Sequence, residues 1–273
     1  MNQDERLRAF RASYPNRSLT VAGKTWKYRI CGAGPHALLM PPGGELVNDL
    51  GFDLAAALAP RYRMVYPAYP IAHTLDELAD GVAAILDAEQ IAQTAVLGAS
   101  FGGAVSQVLV RRHPAKVDRL ILSNTGVPLA YLVRGRKIAN AVLSSLPWPV
   151  LRGLMSRSIL KLLHPPAGEL PFWRRYTTEL FTKQLGKADV MANLEIQLDY
   201  HVRYRFLPED LQAWHGKIFV VESDNDIFNA ERRKALRDTY PQAPVYTFHG
   251  AGHAPAFSRP SEYLEVLNRF LEQ

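Results

Sequence analysis

The chain has 273 residues, 48% of them hydrophobic, enough to bury the core of one large α/β domain with a smaller insertion. Its single cysteine, Cys31, excludes an intramolecular disulfide and reads as a small, half-buried strand residue. No run reaches the roughly 18 to 20 apolar residues of a spanning helix, and the net charge of +6 comes without a nucleic-acid-binding motif.

The N-terminus MNQDERLRAF carries two acids and two arginines where a signal peptide would place an apolar core. The expectation is therefore a cytoplasmic protein without a transmembrane segment. Short β-rich runs then alternate with helical stretches, the pattern of parallel strands joined by crossover helices. Strands are expected at Lys24 to Ile30, Ala37 to Met40, Arg63 to Tyr66, Thr94 to Leu97, Leu120 to Ser123, Ile218 to Val221 and Val245 to Phe248. The connection CGAGPH is too short for a helical crossover, so the first two of these should pair antiparallel at an edge. Leu78, Val82, Ile85 and Leu86 give the segment Leu75 to Glu89 a helix with one buried face. Phe101 to Arg112 and Ser261 to Glu272 read as helices too.

Between Pro128 and Leu207 the strand signal disappears and helical spacing takes over. This segment holds 12 Lys and Arg against 5 Asp and Glu, while the rest of the chain is close to neutral. It reads as a helical cap, residues 128–207, inserted in a core made of 1–127 and 208–273. Its basic residues read as a solvated face, with selection of anionic substrates or contact with anionic lipid as the alternative. Its aromatics, Trp148, Phe172, Trp173, Tyr176, Phe181, Tyr200 and Tyr204, are expected to supply a substrate pocket, although any one of them is more readily explained by packing.

The sequence Gly98-Ala99-Ser100-Phe101-Gly102 fits GxSxG, directly after an apolar run and directly before a helix. A nucleophile raised on so tight a turn needs small neighbours two residues away on each side, and the two glycines supply them. A serine hydroxyl needs a base. His253, in the glycine-rich loop FHGAGHAPAF after the last strand, is best placed to project over the carboxyl end of the sheet. The acid that orients it should follow the preceding strand, in VVESDNDIFNAE. Asp226 is preferred there, with Asp224 as the alternative. Two backbone donors must face a developing oxyanion. One is the N–H of Phe101. The other comes from PPGGELVND, where Gly44 is preferred and Glu45 is second. No cofactor or metal is called for.

The segments LLMPPGG, LGASFGG, LILSN, DNDIF and GAGHAP together resemble the α/β-hydrolase superfamily over essentially the whole chain. That resemblance implies an α/β-hydrolase fold, with a mostly parallel sheet flanked by helices, and the order Ser100, Asp226, His253. The chain departs from it at Pro42, where relatives commonly carry histidine, and at Ser223, where they usually have glycine. LLMPPGGE and YPAYPIAHTLDELADG further resemble maspardin-like members, which implies a second possibility, a protein-binding member of the fold. The expected activity is cofactor-free hydrolysis of a small carboxylic ester through an acyl-enzyme. A C–C bond hydrolase or perhydrolase would use the same three residues.

Overall fold

A computed structural model describes residues 1–272. Eight strands form one sheet in the order β1-β2-β4-β3-β5-β6-β7-β8. They are β1 (Arg17–Val21), β2 (Lys24–Cys31), β3 (His36–Leu39), β4 (Tyr62–Ala68), β5 (Thr94–Ala99), β6 (Val117–Ser123), β7 (Lys217–Ser223) and β8 (Val245–Phe248). From β4 to β8 every pairing is parallel, and β2 runs antiparallel to both neighbours.

The parallel strands are apolar on both sides because helices cover both faces. Leu38, Met64, Leu97, Ile121 and Val221 point to one face, where they meet α1 (Gln3–Ser13), α2 (Phe52–Leu58) and α10 (Pro260–Leu271). Their neighbours Leu39, Val65, Val96, Leu120, Leu122 and Val220 point to the other, against α3 (Leu75–Ala88), α4 (Phe101–Arg112) and α9 (Ala230–Thr239). Each such aliphatic side chain, fully buried, contributes roughly 1.5–3 kcal/mol.

The expected pairing of the first two strands is corrected. β2 is antiparallel, but its partners are β1 and β4, and β3 lies beyond β4 in the parallel part. The short loop after β2 carries the chain past β4's position without any pairing to β3. Cys31 is fully buried rather than half-buried, and burial pushes its thiol up to about 12.

Between β6 and β7 the chain forms α5 (Leu132–Ser145), α6 (Trp148–Leu163), α7 (Leu170–Glu179) and α8 (Lys187–Arg203). Phe172 and Trp173 of α7 pack on Phe52 of α2, with ring centroids 6.0 and 6.2 Å away. Tyr176 donates to the buried Asp49 at 2.6 Å, and Arg11 of α1 reaches the same carboxylate at 2.8 Å. The helical segment is thereby tied to the sheet's helical cover. Among the described residues no helix is long and apolar enough to cross a membrane.

Candidate active site

The sheet order turns back at β3, with β4 on one side and β5 on the other. Such a reversal opens a crevice at the carboxyl ends of the two diverging strands. The loop after β3 and the turn after β5 meet there, and the second of these carries Ser100.

Ser100 adopts φ 50° and ψ −122°, a conformation that costs a residue with a side chain roughly 1–3 kcal/mol. Its surroundings hold it. Ser100 N–H donates to the Ser123 carbonyl at 3.0 Å, and Thr125 Oγ1 donates to the Ser100 carbonyl at 2.7 Å. The flanking glycines are sterically required: a Cβ on Gly98 would stand 2.4 Å from Ser106 Oγ, and one on Gly102 would stand 2.3 Å from the Pro41 carbonyl oxygen.

His253 follows β8 in a loop whose Gly250 and Gly252 both have positive φ, so the chain doubles back over the sheet end. Its Nε2 lies 2.9 Å from Ser100 Oγ, and its Nδ1 lies 2.7 Å from Asp226 Oδ1. The Asp226 side chain is wholly buried and that of His253 nearly so. A carboxylate only accepts, so Nδ1 carries the proton and Nε2 is left to accept from the serine hydroxyl. Asp226 Oδ1 also accepts from the Phe228 N–H at 3.2 Å, and Oδ2 accepts from Asn124 Nδ2 at 2.8 Å.

Asp224 goes elsewhere. Its carboxylate accepts from His249 Nδ1 at 2.9 Å and from the Gly250 N–H at 2.8 Å, at the exposed start of the histidine loop. Of the two candidate acids in this stretch, the structure brings only Asp226 to His253.

Phe101 opens α4, so its N–H has no acceptor within the helix. Across the cavity, the Gly43 N–H donates to Glu45 Oε1 at 2.9 Å, while the Gly44 N–H has no partner among the described residues. Gly44 and Phe101 line the same cavity as Ser100 and His253. Burial pushes the Glu45 carboxyl up to about 7, against the opposing pull of the Glu45 and Gly43 backbone N–H groups.

That cavity has a volume of about 440 Å³ and lies between the sheet end and the inserted helices, within the usual range for small-molecule sites. Of the seven aromatics expected to line it, only Phe181 and Tyr200 do so. Phe172, Trp173 and Tyr176 pack against the core instead. Trp148 rests against Phe181, and Tyr204 donates to Asp76.

Asn124 escaped sequence reasoning. It follows β6 with φ 44° and donates to Asp226, to Ser223 Oγ at 3.2 Å and to the Gly252 carbonyl at 3.4 Å. The available signal was an asparagine ending LILSN, since asparagine tolerates the left-handed conformation. The buried Ser223, at the usual glycine position, is one of its acceptors. The two cavity-lining arginines, Arg136 and Arg232, were missed too.

A strained serine at a strand-to-helix turn, hydrogen-bonded to a buried histidine on a buried carboxylate, defines the class of sites built for activated-nucleophile chemistry. The chain belongs to the alpha/beta hydrolase family, whose profile matches residues 31–266. It is 25% identical over 260 residues to the pimeloyl-[acyl-carrier protein] methyl ester esterase of Aeromonas hydrophila, covering 88% of this chain and 96% of that one. It is 23% identical over 206 residues to the 2-hydroxymuconate semialdehyde hydrolase of a Pseudomonas species, covering 72% and 69%. Among solved structures it resembles a hydrolase from Pseudomonas aeruginosa, with a TM-score of 0.79, 19% identity and coverage of 95% and 99%.

Proposed function

We propose that this chain is a serine esterase in which Ser100 is the nucleophile, His253 the general base and acid, and Asp226 the group that orients His253. The continuous line of hydrogen bonds from Ser100 Oγ through His253 to Asp226 carries the proposal. Ser100 Oγ attacks the ester carbonyl as His253 Nε2 takes its proton. The N–H groups of Phe101 and Gly44 receive the oxyanion, an arrangement whose single donors are worth about 10²–10³ in rate. His253 then protonates the leaving alcohol, and water, activated by the same imidazole, releases the acid. The buried Asp226 stabilises the imidazolium at each step.

In this proposal residues 128–207 act as a cap over a core of 1–127 and 208–273, and the substrate occupies the cavity between them. The esterase relative supports ester chemistry, and C–C hydrolysis by the same residues is the second reading. A purely protein-binding role, the option raised by the maspardin-like segments, leaves the strained Ser100 and its bonded, buried imidazole without a use.

Hydrolysis of p-nitrophenyl esters of increasing chain length, by wild type and Ser100→Ala, tests the proposal. Turnover by wild type that is lost by at least about 10³ in the variant is expected. Equal rates for the two proteins would rule the assignment out.

A further inference from the structure

Two cations reach the cavity without a salt-bridge partner among the described residues. Arg136 comes from α5 and Arg232 from the first turn of α9, and both line the cavity beside Ser100 and His253. Neither makes a salt bridge among the described residues, although both are half-buried. A guanidinium removed from water without a carboxylate is costly. Arg136 has one neutral partner, donating to Gln197 Oε1 at 3.1 Å. Arg232 stacks on the Phe228 ring with its central carbon 3.9 Å from the centroid, and its Nε is buried without a hydrogen-bond partner among the described residues.

Arg232 is also on the wrong end of its helix for simple stability. It stands three residues after the N-cap Asn229, where a cation opposes the helix dipole. Phe228, on which it stacks, meets the His253 ring edge-on at 5.3 Å, so the guanidinium is one ring away from the imidazole.

The third group is His201 of α8. Its Nδ1 accepts from the Leu129 N–H at 3.0 Å, which leaves a neutral ring with an Nε2–H donor in the cavity wall. Burial and the two arginines lower its pKa to about 4. Burial and Arg136 likewise lower Arg232 to about 10, against the opposing pull of Tyr131 and Asp226. In both, burial is the larger cause and a neighbouring guanidinium adds to it in the same direction. The only carboxylate among the lining residues is Glu45, on the loop after β3, and its burial disfavours the charged form.

We propose that Arg136 and Arg232, with His201, receive a carboxylate carried by the substrate away from its scissile bond, so that the enzyme acts on anionic esters. The proposal rests on Ser100 hydrolysis for its substrate class, but the anion site itself does not need turnover. Two forked guanidiniums match the planar geometry of a carboxylate. Its arrival would supply the charge that the cavity lacks.

Two substrate pairs locate the anion. The mono-p-nitrophenyl ester of glutaric acid against p-nitrophenyl pentanoate places it on the acyl side, and 4-acetoxybenzoate against phenyl acetate places it on the alcohol side. In wild type at least one pair should favour the anionic ester in kcat/KM. Arg136→Gln with Arg232→Gln should lower that preference roughly tenfold or more, and Arg136→Lys should keep more of it than Arg136→Gln. Calorimetric titration of Ser100→Ala with glutarate reads the same site without catalysis. Glutarate should bind, and binding should be lost when both arginines are replaced. Neutral esters preferred in both pairs, or a preference and a glutarate affinity unmoved by the double substitution, would overturn the proposal. Glutarate binding without hydrolysis of any ester would instead remove the esterase assignment and leave the anion site standing.

Discussion

Asn124 Nδ2 donates at 2.8 Å to Asp226 Oδ2, the carboxylate oxygen opposite the one that His253 Nδ1 contacts at 2.7 Å. The two residues are far apart in sequence, one at the end of β6 and one in the loop after β7, and adjacent parallel strands bring them together. Asn124 thus fixes the plane of the carboxylate, and the carboxylate fixes the plane of the imidazole.

Asn124→Ala is expected to lower kcat by about tenfold with KM little changed, because a donor worth roughly 1–3 kcal/mol is removed from a buried carboxylate. Asn124→Asp should be worse, since it sets a like charge against Asp226. Steady-state kinetics on a p-nitrophenyl ester checks both. A loss of melting temperature with kcat unchanged would mean that Asn124 serves stability alone.

The two loop carboxylates should separate by function. Asp226→Asn is expected to cost about 10³–10⁴ in kcat, because an amide can hold the imidazole in the wrong tautomer. Asp224→Asn touches exposed contacts, chiefly to His249 and Gly250, and its turnover should stay within about twofold of wild type, as expected for a surface change. The reverse pattern would reassign the acid.

Gly102→Ala should be destabilising. Its new Cβ would meet the Pro41 and Pro42 carbonyl oxygens at 2.3 and 2.9 Å, backbone atoms that cannot turn aside. A loss of about 1–3 kcal/mol is expected by denaturant titration. Activity should fall with it, because the same loop carries Gly44.

Glu45 gives a stability slope with pH. Its pKa is raised from an ordinary 4.5 to about 7 in the folded chain, so between these values the unfolded chain has released a proton that the native one keeps. The unfolded state therefore binds fewer protons, and stability falls as pH rises through that window. Its contribution is fully present below about 4.5 and lost above about 7. Glu45→Gln should flatten this part of the profile, measured as denaturation midpoint against pH. An unchanged slope would place the origin elsewhere.

Much of the fold was legible because parallel strands buried on both faces are continuous apolar runs, and Val245–Phe248 and Phe101–Arg112 have the bounds that their patterns suggest. The edge strand Arg17–Val21 was not, because its residues are mostly exposed or half-buried and alternate weakly. Sheet order is set by long-range packing, which is why the pairing of β2 could not be read from a short loop. Ser100 and His253 announce themselves through glycine-bearing turns. Arg136 does not: helical spacing shows a basic face on α5, and only the packing of the inserted helices turns one of its arginines toward a cavity.

The nucleophile can be tested directly with a fluorophosphonate probe followed by peptide mass spectrometry. If Ser100 is activated by His253, wild type should carry one phosphonyl adduct on the peptide containing Gly98 to Gly102, and both Ser100→Ala and His253→Ala should lose it. No adduct on wild type, or an adduct that persists in Ser100→Ala, would contradict the assignment of Ser100.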